Sequence, residues 1–72
     1  MSKYVSFNNG ASWLDAEEAM QEVSERPYLW QMLVDIMDDD IREAVHRDLA
    51  PCSEEQFLTE YLKRANDDLI IG

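Results

Sequence analysis

One histidine, His46, and one cysteine, Cys52, are the side chains of this chain best suited to general-base or nucleophilic work. A general base needs a nucleophile or substrate within hydrogen-bond reach, and no Ser, Cys or acid stands at a recognisable spacing from His46. His46 falls one residue off the apolar stripe of its predicted helix, the place of a boundary histidine that packs its ring and pairs with an acid. Cys52 precedes a helix cap, where the dipole could lower a thiol pKa, but Glu54 and Glu55 oppose that shift and a small buried thiol is expected. Asp38-Asp39-Asp40 supplies oxygen ligands of the kind that calcium and magnesium take. The spacing is wrong for a calcium loop, which alternates its ligands around a glycine turn, whereas consecutive residues at a helix start diverge by about 100° each. One His and one Cys cannot close a zinc site within a single chain. The sequence therefore predicts a non-enzymatic protein with no catalytic residue, no metal and no cofactor.

What remains is charge. Sixteen Asp and Glu stand against six Lys and Arg, a formal net charge of −10. Such a surface repels nucleic acid and anionic membrane and attracts basic protein surfaces over a range set by salt. Direct nucleic-acid binding is disfavoured, since the bases are scattered and outnumbered, and a basic protein partner is expected. Glu17, Glu18, Glu22, Glu25, Asp35, Asp38, Asp39, Asp40 and Glu43 form a candidate acidic interaction face across three consecutive helices. These residues either serve as solvated outer faces that keep a small protein soluble, or imitate the phosphate ladder of DNA. Trp30, Met32 and Met37 form a candidate apolar interface, because flexible methionines and a tryptophan suit partner surfaces as well as cores.

The elements that position these residues are legible in the spacing. At 72 residues and 46% hydrophobic composition the chain forms a single domain, 1–72, with room for a core and none for a deep pocket. The single cysteine excludes an internal disulfide, and no segment has the apolar length of a signal peptide or membrane span, so a cytoplasmic protein is expected. Residues 4–7 alternate as a strand, Asn8-Asn9-Gly10 turns the chain, and residues 11–13 make a short return strand. Asp15 and Glu18 cap a helix over 16–24 with Ala16, Ala19, Met20 and Val23 on its buried stripe. Pro27 opens a second helix that runs to about 37 and is apolar over most of its circumference, so it is either the centre of the core or shows a second face to another chain. A third helix, capped within Asp38-Asp39-Asp40, buries Ile41, Ala44, Val45 and Leu49 and stops at Ala50-Pro51. Ser53 and Gln56 box a fourth, with Phe57, Leu58, Tyr61, Leu62 and Ala65 inward and Lys63 and Arg64 in its last turn. Leu69-Ile70-Ile71, too short for a helix, pairs with residues 4–7. The fold class is α+β: about four short helices packed on a small sheet formed by the N-terminal hairpin and the C-terminal strand.

The segment Val45-His46-Arg47-Asp48-Leu49-Ala50-Pro51-Cys52-Ser53-Glu54-Glu55-Gln56-Phe57-Leu58, continued by Tyr61-Leu62 and the ending Asp67-Asp68-Leu69-Ile70-Ile71-Gly72, resembles a recurring ending of short acidic proteins. These are uncharacterised proteins carried on conjugative, integrative and phage-like elements of bacteria, with no established activity. The resemblance implies a mobile-element accessory factor that binds a host or element protein, and DNA-mimicking counter-defence inhibitors are one subset of such factors. The leading expectation is a small acidic interaction module for a basic protein partner. The alternatives are a DNA-mimic inhibitor of anti-restriction or anti-CRISPR type and a structural homodimer seamed on the second helix.

Overall fold

The computed structural model describes residues 3–72. Its elements run β1 (Val5–Ser6), α1 (Ala16–Glu25), α2 (Tyr28–Ile36), α3 (Asp39–Leu49), α4 (Glu54–Arg64) and β2 (Leu69–Ile70). The two strands pair in parallel, with Val5 opposite Leu69 and Ser6 opposite Ile70. A parallel pair cannot be joined by a tight turn, so the four helices together are the crossover that carries the chain from one strand to the other. The Leu69 and Ile71 amides donate to the Tyr4 and Ser6 carbonyls at 3.0 and 2.8 Å, and the Asn9 amide donates to the Ile71 carbonyl at 2.8 Å.

The expected hairpin is reduced to one contact. Val5 and Leu14 exchange backbone hydrogen bonds of 2.9 and 2.8 Å as an isolated antiparallel bridge, and residues 11–13 form no strand. The reason lies in the turn. Asn8 Oδ1 accepts from the Ser6 hydroxyl and from the Ser12 amide, both at 2.9 Å, while the Ser6 hydroxyl also accepts from the Gly10 amide at 2.7 Å. These side chains satisfy the backbone that a return strand would have paired. Asn9 and Gly10 take φ values of 57° and 86°, the left-handed region that Asn and Gly tolerate best.

Helix starts follow the capping chemistry. Asp15 and Ser53 head complete capping boxes with Glu18 and Gln56, and Asp38 accepts from the Ile41 amide at 3.1 Å. The start of α2 is different: Pro27 precedes it with no side-chain cap, and it has neither an acid in its first turn nor a base in its last. Its order rests on Leu29 and Leu33, which join Val5, Ala19, Val23, Met37, Val45, Leu58, Tyr61, Leu62, Leu69 and Ile71 in one core. No helix among the described residues is long and apolar enough to cross a membrane.

Tyr61 links this core to the turn between α2 and α3. Its ring is buried, and its hydroxyl accepts a 2.7 Å hydrogen bond from the Asp38 amide. Burial, the largest influence, pushes the phenol pKa above its ordinary value of 10.0, against the Asp38 amide, which lowers it. Tyr61→Phe should cost about 1–2 kcal/mol in chemical denaturation, since the Asp38 N–H loses its partner. Above pH ~10 the unfolded chain ionises its phenol more readily than the folded one, so stability falls as pH rises. That alkaline loss should be smaller in Tyr61→Phe than in the parent chain.

Candidate interaction surface

The outer face of α1 is set by its buried stripe. With Ala19 and Val23 inward, the 100° step per residue puts Glu17 and Glu25 on the outer side and Glu18 and Glu22 along one flank. Glu17, Glu18 and Glu25 are exposed and Glu22 is half-buried. Asp35 lies near the end of α2, Asp38 and Asp39 at the cap and first residue of α3, and Asp40 and Glu43 further along that helix, all five exposed.

These nine carboxylates do not share one status. Glu22 pairs with Arg26, Asp39 with Arg42 at 3.0 Å, and Asp35 accepts from Gln31 at 2.8 Å. Glu18 and Asp38 are occupied in helix caps. Glu17, Glu25, Asp40 and Glu43 make no ion pair and no side-chain hydrogen bond among the described residues.

The four arginines are consumed in the same way, whereas Lys3 and Lys63 make no ion pair among the described residues. Arg26 and Arg42 are held as described, and Arg64 bridges Glu60 at 2.8 Å and Asp48 at 2.9 Å. Arg47 leans on Asp48 at 3.6 Å. The hydrogen bond from Arg64, with the charge of both arginines, holds the Asp48 carboxyl below its ordinary value. Exposed pairs of this kind contribute little stability, but they take the arginine charge out of the outward field. The carboxylates without local duties then dominate what a partner meets.

The candidate apolar residues separate. Met37 is 5% exposed and belongs to the core, not to a surface. Trp30 is half-buried, its ring edge-on to Phe57 with centroids 6.1 Å apart and planes at 80°. Met32 remains exposed. His46 is exposed, without the acid partner expected of a boundary histidine among the described residues, and lines a cavity of about 470 Å³ with Trp30, Val34, Arg42, Glu43 and Phe57. Cys52 is a free thiol of intermediate exposure, less covered than the buried thiol expected. No group of three or more His, Cys, Asp or Glu among the described residues is arranged to hold a metal ion.

A family model described as Anti-CRISPR protein AcrIC5 matches residues 18–65, more than half of the chain. The chain belongs to this anti-CRISPR family. The match begins at Glu18 in α1, takes in α2, α3 and α4, and ends at Ala65, leaving both strands outside. It corrects the expectation of an uncharacterised mobile-element group, because AcrIC5 is a named anti-CRISPR family. Membership in AcrIC5 accords with a small non-enzymatic factor that acts on another protein or complex. No curated protein and no solved structure shows significant similarity to the chain.

The division of the acids is measurable in stability. Combining Glu25→Gln and Glu43→Gln should leave unfolding free energy within about 0.5 kcal/mol of the parent, because neither holds a cap or ion pair or stands in a first turn. Asp38→Ala should cost about 1 kcal/mol through the lost cap. Denaturant titrations of the two variants side by side check both.

Proposed function

We propose that this AcrIC5 member inhibits a CRISPR effector complex by occupying a basic surface that otherwise holds nucleic acid. Its carboxylates take the place of phosphates. The observation that carries this reading is the asymmetry of the charges: Arg26, Arg42, Arg47 and Arg64 are tied to the chain's own carboxylates, while Glu17, Glu25, Asp40 and Glu43 have no such tie among the described residues. Duplex DNA carries one negative charge per ≈ 1.7 Å of axis, and a site built to neutralise that density attracts a compact anion of formal charge −10. Glu17 and Glu25 stand about two turns apart on the outer side of α1, and the first half of α3 adds Asp40 and Glu43. Membership in an anti-CRISPR family supports a target of this class.

Binding of the purified effector complex should weaken at least tenfold when salt is raised from about 50 to about 500 mM, since exposed charges are then screened beyond a few ångströms. Saturating duplex DNA should displace the protein. The Glu17→Gln, Glu25→Gln, Asp40→Asn, Glu43→Gln variant should bind at least tenfold more weakly, chiefly through a slower association rate. A complex that keeps the protein bound in saturating DNA would instead support a basic partner surface unrelated to the nucleic-acid site.

A further inference from the structure

On the outer face of α2, Tyr28, Met32 and Ile36 stand four residues apart and form one row along the helix. They are 60%, 38% and 45% exposed, whereas Leu29 and Leu33 on the inward face are 4% and 0% exposed. Three large apolar side chains in one row, on a chain of 72 residues, form a continuous patch and not a scatter of single surface residues. The patch has an acidic rim. Asp35, held by Gln31, runs beside Tyr28 and Met32. At the other end Ile36 opens onto a depression of about 210 Å³ whose walls include Ile41, Asp38, Asp67 and Asp68.

We infer that this row is an apolar anchor for the effector complex, seating in a hydrophobic depression of a partner protein bordered by lysine or arginine. The inference deepens the reading above and rests on it for the identity of the partner. Charge complementarity selects the occupant. A second copy would bring Asp35, Asp38 and Asp67 against their own counterparts on a molecule of net charge −10, and like charges at an interface oppose association. The three side chains would also bury roughly 500 Å² in total between two copies, well short of the ~1,200 Å² at the lower end of stable interfaces. A basic partner removes the like-charge obstacle, and the acidic faces that it also covers add contact area to that of the row: its cations pair with the rim while its apolar floor takes the tyrosine ring and the flexible methionine, residue types suited to contact surfaces. The anchor also adds what phosphate imitation lacks. A DNA backbone has no apolar ridge, so these contacts would let the inhibitor recognise one protein among many that bind DNA.

The test replaces the row with glutamine, which keeps the charge and suits a helix. The Tyr28→Gln, Met32→Gln, Ile36→Gln variant and the parent are titrated against the purified effector complex at about 50 and about 500 mM salt, with and without duplex DNA. The variant should bind at least tenfold more weakly at both salts, with the parent's salt dependence preserved. Equal affinity of variant and parent at both salts overturns the anchor, while displacement by DNA still upholds the mimicry. Weakened variant binding with no displacement of the parent by DNA upholds the anchor and overturns the mimicry. Failure of the parent to bind at either salt overturns both. Sedimentation of the parent alone should show a monomer at about 100 μM, and a dimer lost in the variant would overturn the choice of occupant. If the triple variant melts lower than the parent, Met32→Gln alone carries the test, with a loss of about threefold expected and none overturning the anchor.

Discussion

The parallel pairing of β1 and β2 is the constraint on which the remainder of the structure depends. Two residues on each strand make a weak sheet in isolation, and such a pair persists only when its side chains are buried. Val5 and Leu69 meet that condition, both within the helix-packed core. Because the pairing is parallel, it requires a long crossover, and this chain spends all four of its helices on it. The Lys3 amide, which donates to the Leu62 carbonyl at 3.0 Å, and the Tyr4 amide, which donates to Asp68 at 2.8 Å, fasten the incoming chain to the end of α4. One closure thereby fixes where α1 begins and where α4 ends, and with them the surfaces that carry the charge.

The acidic character of the protein is distributed by local rules before any partner is involved. Carboxylates cap α1 and α3, stand in the first turns of α1, α3 and α4, and neutralise the arginines. A net charge counts all of these equally. The structure does not, and the carboxylates left over lie chiefly on the outer side of α1 and along the start of α3. Membership in an anti-CRISPR family gives that remainder a setting, and the exposed row on α2 gives it a neighbour of different chemistry.

Much of the fold was legible because it is written in short-range signals. Caps at Asp15, within Asp38-Asp39-Asp40 and at Ser53, with the 3.6-residue stripes of α1, α3 and α4, placed those helices to within a residue or two, and the structure puts the second of these caps at Asp38. The pairing of residues 69–71 with residues 4–7 followed because that apolar run is too short for a helix and needs a strand to join. The return strand at 11–13 was read from the turn alone, and the Asn8 side chain changed the outcome by hydrogen-bonding the backbone that the strand would have used. The candidate apolar surface was legible only in part. An excess of apolar residues on α2 announced two faces, but periodicity over nine residues could not say which methionine belonged to each, and only packing put Met37 inside and Met32 outside. Tyr28 and Ile36 gave no separate signal, since each fits a core stripe as well as a surface row.

The unusual beginning of α2 bears on how that helix would respond to a partner. Lacking a side-chain cap and any charge to complement its dipole, it has little local reason to stay wound, and its order is lent by the residues beneath it. Local opening draws on segments with few local restraints, and α2 has fewer of them than the three capped helices. A protein closing over its outer face would supply the missing half of its packing. Recognition there would then be felt less as a change of shape than as a loss of motion, with the amides of α2 exchanging more slowly with solvent once the protein is bound.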